Sequence, residues 1–356
     1  MKPWYILVTG SSGLIGSEAV EYFDRQGHNI TGVDNNMRRV FFGPPGETLW
    51  NLERLKNVTR QFTSIALDIR DRDGVMVLFR ENRFDLILHC AAQPSHHKAA
   101  DIAILDFEVN ALDTVNLLEA TRQHCPEAAF IIMSTNKVYG EAPNEKPLRE
   151  TKTRYYYADP ADFEGIDENC RIDHTLHSLF GASKVAADIY AQEYGRYFGM
   201  GVGIFRGRCL TGPSHSGVEL HGFLSYLVKV ALSGKTYTVY GYKGKQVRDN
   251  IHSFDLVRAF EEFARNPRPG EVYNLGGGRA NGVSMLEAIA LIEALTGRKI
   301  NWTYSDQPQR GDHICYISNL AKLKSHYPGW DLTRSLDSIL EEMVAAEREH
   351  SQRVGT

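Results

Sequence analysis

The sequence lacks long hydrophobic runs. No apolar stretch in it approaches the ~18 residues that a membrane-spanning helix needs. The first residues, MKPWYILVTGSSG, contain only a short apolar stretch, which leads directly into a glycine-rich turn. That arrangement is typical of a buried first strand and differs from a signal peptide. The sequence therefore predicts a cytoplasmic protein.

Cysteine is scarce, and charge of one sign is not in excess. The cysteines are odd in number and form no C-x-x-C pair, which favours reduced thiols and predicts no metal site. They are Cys90, Cys125, Cys170, Cys209 and Cys315. The 40 Lys and Arg residues nearly balance the 44 Asp and Glu residues. No basic surface is therefore predicted that would bind nucleic acid or an anionic membrane.

Short apolar runs alternate with amphipathic stretches in the first 208 residues. Strands are predicted at residues 4–9, 29–34, within 62–68, and at 84–90, 129–134 and 201–206, and helices at residues 13–26, 71–81, 113–124 and 184–198. The runs LILHCAA and AAFIIMS are continuously apolar, as expected of strands buried on both faces. This alternation predicts the α/β class with a Rossmann-type, doubly wound parallel sheet.

The pattern changes after residue 208, where Gly, Pro, Ser and His cluster in TGPSHSG. We predict a Rossmann domain at residues 1–208 that includes the catalytic segment. Residues 209–356 are predicted to form mainly a smaller mixed α/β lobe, with returns of the chain to the Rossmann sheet near residues 245–280. Residues 335–348 are predicted to form a charged amphipathic helix.

Residues 9–16 read T-G-S-S-G-L-I-G, after the first predicted strand and at the start of a helix. In that setting the glycine pattern strongly indicates a dinucleotide site. Gly10 allows a tight turn, Gly13 lets the backbone approach a pyrophosphate, and Gly16 lets the helix pack close to the sheet. Free N–H groups and the helix dipole then bind the anion.

Asp34 ends the second predicted strand. A carboxylate at that place accepts hydrogen bonds from ribose hydroxyls and repels a 2′-phosphate, so NAD is favoured over NADP. Arg38 and Arg39 lie close by and weaken that preference, and an ordinary turn role for Asp34 is the alternative.

Together with later motifs, this pattern resembles the extended short-chain dehydrogenase/reductases, NAD-dependent enzymes that modify nucleotide sugars. The resemblance runs from residue 5 to about residue 330. Asp68-Ile69 resembles the D-[IVL] of that family, Ala91-Ala92-Gln93 its H-x-A-[AG], and residues 110–119 its N-x-x-G-T-x-N-L-L-E helix. The residues expected to contact NAD are Gly10, Gly13, Leu14, Ile15, Gly16, Asp34, Asn35, Asp68, Ile69, Ala91, Ala92, Gln93, Asn110 and Lys184.

Residues 134–140, S-T-N-K-V-Y-G, resemble the catalytic segment of the family. By that match Thr135 hydrogen-bonds the reacting sugar oxygen. Asn136 and Lys137 stand where sugar-nucleotide 4,6-dehydratases carry Asp-Glu, so elimination of water would lack its proton shuttle. Within the family this segment is most similar to CDP-tyvelose (CDP-paratose) 2-epimerases, as are E-T-K-T-R-Y at residues 150–155 and G-K-Q-V-R-D at residues 244–249.

The main departure from the family is at its Tyr-x-x-x-Lys motif. Lys184, which would hold the nicotinamide ribose, is present, but Phe180 replaces the tyrosine that takes the proton of the sugar alcohol. Losing such a group typically costs about a hundred- to ten-thousand-fold in rate. The protein is then slow, or it binds without turnover, or another group carries the proton. The groups considered for that role are Lys184, Thr135, Tyr155, Tyr156, Tyr157, His174 and His177.

Arginines mark the predicted substrate side. Arg208 precedes the expected turn into the second lobe, and His221 starts a helix expected to contact phosphate or base. Arg248 lies in a segment similar to the R-D-[FY]-[IV]-H of the family, and Arg310 in one similar to its R-x-G-D. A guanidinium fork suits two phosphate oxygens, with a surface salt bridge as the alternative. For His96 and His97, substrate contact and a solvated loop are equally consistent with the sequence.

The resemblance implies an isomerase: NAD-dependent epimerisation of a nucleotide-linked sugar through a transient keto intermediate, at C2 of a CDP-deoxyhexose. A 4-epimerase, a dehydrogenase and a catalytically silent binding protein are the alternatives. The resemblance also implies a homodimer in which the helices at residues 113–124 and 184–198 pair between subunits.

Overall fold

The predicted parallel sheet is present in the computed structural model, which describes residues 2–214, 222–308 and 311–354. Its strands, in chain order, are β1 (Tyr5–Thr9), β2 (Asn29–Val33), β3 (Phe62–Ile65), β4 (Leu86–His89), β5 (Ala129–Thr135), β6 (Leu148–Glu150), β7 (Tyr155–Tyr157), β8 (Val202–Gly207), β9 (Cys209–Thr211), β10 (Thr236–Tyr240), β11 (Val247–His252), β12 (Glu271–Leu275), β13 (Gly282–Ser284), β14 (Asn301–Ser305) and β15 (Cys315–Tyr316).

The helices cover both faces of the large sheet and fill the second lobe. They are α1 (Leu14–Arg25), α2 (Met37–Phe42), α3 (Leu49–Val58), α4 (Arg72–Glu81), α5 (His96–Ala99), α6 (Ala103–Phe107), α7 (Asp113–His124), α8 (Leu179–Phe198), α9 (Phe223–Ser233), α10 (Ser253–Arg265), α11 (Met285–Thr296), α12 (Ala321–His326) and α13 (Leu336–Val354). A π-helical segment, Glu108–Leu112, joins α6 to α7.

The large sheet has the strand order β12-β8-β5-β4-β1-β2-β3, and all neighbouring strands are parallel. The predicted doubly wound Rossmann-type fold is therefore confirmed. The order reverses between β1 and β4, so the connections that leave these two strands run to opposite sides of the sheet. In open α/β sheets that reversal leaves a crevice beyond the carboxyl ends of the strands, where ligands bind.

Alternate side chains of the buried strands belong to two hydrophobic cores, one on each face of the sheet. In β1, Ile6 and Val8 join the core under α1 and α10, while Leu7 joins the core under α4, α7 and α8. Because both faces are covered, β4 is buried at every position and β5 at every position but its last. This burial is the reason for their continuous apolar sequence.

The second lobe has a core of its own, built mainly from α9, α11 and α13. Strands β10 and β14 pair in parallel, and β11 pairs with β9, β13 and β15. The chain then returns through α10 to β12, which adds to the edge of the large sheet beside β8. The chain thus crosses between the sheet and the lobe at least three times: after β8, through α10 and after β12.

Two local predictions differ from the structure. Helix α8 begins at Leu179, five residues before the predicted start, because the Ser178 hydroxyl caps it by accepting the N–H of Gly181. Helices α2 and α3 were not predicted; α2, M-R-R-V-F-F, is only six residues long, too short to give a periodic signal. All five cysteines are free thiols. Within the described ranges, no helix has the length and apolar character that crossing a membrane requires.

Candidate active site

A pocket of about 440 Å³ opens beyond the carboxyl ends of β1, β4 and β5 and continues towards the second lobe. It brings together most of the residues singled out from the sequence. Those that line it are Gly10, Gly13, Leu14, Ile15, Gly16, Asp34, Asn35, Asp68, Ile69, Ala91, Ala92, Thr135, Asn136, Lys137, Phe180, Lys184, Arg208 and Arg248.

Four predicted residues are not in that set. His221 and Arg310 lie outside the described residues. Gln93 and Asn110, expected to contact the cofactor, are instead enclosed behind the pocket wall. The Gln93 N–H donates to Asn110 Oδ1 at 3.0 Å, and both side-chain amides donate to Asp106 Oδ1. This network fixes the segment before α7 against the chain that follows β4.

The turn after β1 is held by backbone contacts. Gly10 has φ +65°, and its N–H donates to Val33 O at 2.8 Å. A Cβ on Gly16 would lie 2.1 Å from Gly10 O, whereas one on Gly13 would meet that oxygen at 3.3 Å and otherwise face open space. The absence of a side chain at Gly16 lets α1 pack directly on the end of β1. The absence of a side chain at Gly13 leaves its backbone open to the pocket.

Asp34 lies at the tip of β2, next to that turn. Its carboxylate accepts the N–H groups of Ser12 at 2.9 Å and Asn36 at 2.8 Å. Further along the pocket, hydrogen bonds from Arg70 hold the pKa of Asp68 below its usual value. Bare backbone at a helix N-terminus beside an oriented carboxylate is the donor and acceptor set that a dinucleotide requires. The residues present therefore fit NAD.

The catalytic segment follows β5. Thr135 accepts the N–H of Lys137 at 3.2 Å and so caps the 3-10 turn Asn136–Tyr139. Phe180 and Lys184 are buried on α8, and Lys184 Nζ donates to Met133 O at 3.1 Å. Burial lowers the pKa of Lys184. The wall next to Lys184 thus carries a phenyl ring where the family motif has a hydroxyl.

Most of the proposed substitutes for that hydroxyl are elsewhere. Tyr155, Tyr156 and Tyr157 form β7, outside the pocket lining. His174 is exposed, and His177 Nε2 lies 2.7 Å from Val138 O, also outside the lining. Only Thr135 and Lys184 of the groups considered line the part of the pocket that the structure describes.

Two further titratable groups lie at this place, Lys137 of the predicted catalytic segment and His96. Lys137 is buried, and its Nζ donates to Gly311 O at 2.7 Å and lies 3.5 Å from Asp312 Oδ1. Burial lowers the pKa of Lys137 to about 8, against the opposing effect of Asp312. His96 also lines the pocket, and burial lowers its pKa to about 3.

Cations surround Asp312 at the lobe end of the pocket. Arg248 donates to Asp312, and Lys137 and Arg208 face it as well. Although burial opposes this, the three cations hold the pKa of Asp312 far below its usual range. Arg208 Nε and Nη2 are buried without a partner among the described residues. Arg208 and Arg248 alone outweigh the one carboxylate, and a protonated Lys137 raises the excess to two positive charges. A positive excess of this kind suits a pyrophosphate diester. Sequence reasoning missed Asp312, although it ends the R-G-D segment.

A match to a known family covers residues 6–276 and therefore most of this pocket. The chain belongs to the NAD-dependent epimerase/dehydratase family. This membership confirms the resemblance found in the sequence, and the NAD dependence of the family confirms the expected cofactor. The family acts on nucleotide sugars, in agreement with the surplus of positive charge around Asp312.

Individual relatives in the family differ in their reactions. The chain is 32% identical over 326 residues to CDP-paratose 2-epimerase of Salmonella typhi, covering 89% of this chain and 92% of that protein. It is 28% identical over 365 residues to UDP-glucose 4-epimerase of Drosophila melanogaster, covering 96% of each. A solved structure of UDP-glucose 4-epimerase from Thermus thermophilus in complex with NAD matches with a TM-score of 0.76 and 26% identity, covering 97% of this chain and 99% of that one.

The glycine turn gives a direct test of the cofactor site. We expect Gly13→Ala to weaken NAD binding about tenfold or more, equivalent to ~1.4 kcal/mol, because its methyl group would occupy the approach to the pyrophosphate. Its thermal unfolding midpoint should change little, because the methyl group meets the protein only at Gly10 O. Calorimetric titration with NAD and thermal unfolding measure the two effects. Gly16→Ala is the control, expected to lose stability as well. Unchanged affinity in Gly13→Ala would contradict this assignment.

Proposed function

We propose that the protein epimerises a nucleotide-linked sugar with bound NAD, acting at C2 of a CDP-deoxyhexose. The observation that carries this proposal is the pair Asn136 and Lys137 in the pocket, where dehydratases would need an acid and a base. The match to CDP-paratose 2-epimerase along most of both chains supports the choice of carbon and nucleotide.

In this proposal, different residues along the pocket bind the cofactor and the substrate. Bound NAD supplies reversible removal of hydride from the ring carbon, with no net oxidation of the sugar. The turn at Gly10 to Gly16 and the Asp34 carboxylate hold the dinucleotide. Arg208 and Arg248 hold the substrate pyrophosphate, and Thr135 orients the reacting hydroxyl.

Lys137 carries the proton in place of the missing tyrosine. A general base works best when its pKa lies near the working pH, which favours Lys137, at about 8, over His96, at about 3. The backbone of Lys137 lies beside Gly181, the residue after Phe180: a Cβ on Gly181 would lie 2.9 Å from Lys137 O. The first turn of α8 therefore packs directly on the backbone of Lys137.

The reaction is tested by incubating the protein and NAD with CDP-paratose in deuterated water. We expect NMR to show inversion at C2 without deuterium at that carbon, because the same hydride returns. UDP-glucose is the matched control, and inversion at C4 of that substrate would favour the 4-epimerase alternative. Unchanged stereochemistry in both, despite measured binding, would contradict the enzyme assignment and favour a silent binding protein, which Phe180 also allows.

A second prediction concerns Lys137. As a base, Lys137 must start deprotonated, so we expect kcat/KM to rise with pH and to level off above about 8. Lys137→Met should lower kcat about a hundred- to ten-thousand-fold, and so should Lys137→Arg, which keeps the charge but does not release its proton near neutral pH.

Adding Phe180→Tyr to Lys137→Met should restore much of the lost rate, because the new hydroxyl would carry the proton. Steady-state kinetics across pH measure all these variants. An unchanged pH profile in Lys137→Arg would refute the role.

We also propose that the protein is a homodimer. The support comes from exposed apolar side chains on α8, one of the two helices expected to pair, and on α6, which contacts α8. They are Ile189, Tyr190 and Tyr197, the last 82% exposed, and Ile104 and Phe107. Burial of these side chains against a second copy would remove them from water. Sedimentation should give twice the monomer mass of 40.1 kDa.

Phe107→Glu should shift the sedimenting species to monomer, because it places a charge in the proposed interface. Val40→Glu, at an exposed apolar position on α2, should not. A monomeric wild type would rule the dimer out.

A further inference from the structure

Asp113, the first residue of α7, is a buried carboxylate that the proposed reaction leaves without a role. Its side chain is fully buried, and it lines the pocket. Asp113 Oδ2 has no hydrogen-bond partner among the described residues. The carboxyl group interacts with Thr114, through its backbone N–H and through a long hydrogen bond, 3.4 Å, from its hydroxyl to Oδ1. Burial raises the pKa of Asp113, against the opposing effect of the Lys184 charge. A carboxyl group that is desolvated and unused is costly unless something else satisfies it.

Neighbouring groups do not meet this need. His89 Nε2 is 4.0 Å from Asp113 Oδ1, but both ring nitrogens already lie within hydrogen-bond distance of the hydroxyls of Thr9 and Thr114. Burial lowers the pKa of His89 to about 3, so this ring is neutral. The other buried carboxylates nearby are engaged, Asp106 by Gln93 and Asp188 by Arg206.

Lys184 is the complementary group on the same pocket wall. Its ammonium has three N–H donors, and one of them is used by Met133 O. Asp113 and Lys184 interact electrostatically, yet no ion pair within 4.0 Å joins them. Asp113 therefore has an unused acceptor and Lys184 has unused donors, and the two groups do not pair directly. A hydroxyl group bound between them would hydrogen-bond to both.

We propose that Asp113 is a cofactor-binding residue that accepts a hydrogen bond from the nicotinamide-side ribose of NAD, with Lys184 donating to the same sugar. The proposal rests on NAD binding as part of the proposed function. In the proposed function, Asp34 at the tip of β2 serves the other ribose. The N-x-x-G-T motif that residues 110–114 otherwise resemble has glycine at this position. The chain thus differs from the family motifs at two positions near Lys184. Asp113 adds a carboxyl group, and Phe180 removes a hydroxyl.

The test compares three ligands on protein freed of bound nucleotide. NAD and ADP-ribose contain the second ribose, and ADP lacks it. We expect Asp113→Ala to weaken NAD and ADP-ribose about ten- to a hundredfold, the range for a hydrogen bond to a charged group. ADP should bind unchanged. Asp113→Asn, which keeps a neutral acceptor, should fall between the wild type and Asp113→Ala.

Thermal unfolding separates ligand binding from a structural role. If Asp113 is kept for the ligand, Asp113→Asn removes a buried ionisable group that lacks a full set of partners, and it raises the unfolding midpoint of the ligand-free protein. A structural aspartate would give a lower midpoint. Equal loss for ADP and NAD, or no loss for either, would overturn the proposal. Failure of the wild type to bind NAD would overturn the proposed function as well, so the two failures are distinguishable.

Discussion

The backbone contact between Gly10 and Gly16 is the constraint on which the pocket depends. No side chain fits between these residues, so α1 starts directly at the end of β1. That position brings the first N–H groups of α1 to the place where the strand order reverses. A Cβ on Gly10 would also lie 2.8 Å from Ala91, in the chain that follows β4. The two sides of the crevice are therefore spaced by contacts between main-chain atoms.

A buried ion pair fixes the other side of the pocket. Asp188 of α8 accepts hydrogen bonds from Arg206 of β8 at 2.8 and 3.0 Å and from the Ser134 hydroxyl of β5 at 2.6 Å. Breaking one partner of such a pair leaves an uncompensated buried charge. This network holds α8 in register with the ends of both strands, so Phe180 and Lys184 have fixed positions relative to the catalytic segment.

The sequence was most informative where the signal is local. The glycine turn, the continuously apolar strands and Asp34 each depend on residues close together in the chain, and the structure brings them together as predicted. Contacts between distant residues could not be read in this way. Lys137 meets Asp312, which lies 175 positions later in the chain, and the pKa of Lys137 depends on that burial and on Arg208 and Arg248.

Two other groups of residues also lie away from the expected site. Gln93 and Asn110 match a cofactor motif, but hydrogen bonds to Asp106, and from Asn110 to the distant Ser183, hold them in the pocket wall. The tyrosines of β7 lie on a strand whose pairing with β6 keeps them outside the pocket. The partners Asp106 and Ser183 and the strand β6 are not part of the motifs that singled these residues out, so those motifs gave no sign of the contacts.

The late return of the chain to the large sheet has a consequence for synthesis on the ribosome. When β8 has emerged, one edge of the sheet is still unpaired, and Phe205 lacks the aromatic rings of Phe260, Phe263 and Tyr273 that pack on it. An open edge of this kind pairs readily with other chains. The large sheet is therefore completed only after the whole of α9 to β12 has been translated. A fragment that stops at residue 208 retains an unpaired strand edge at β8.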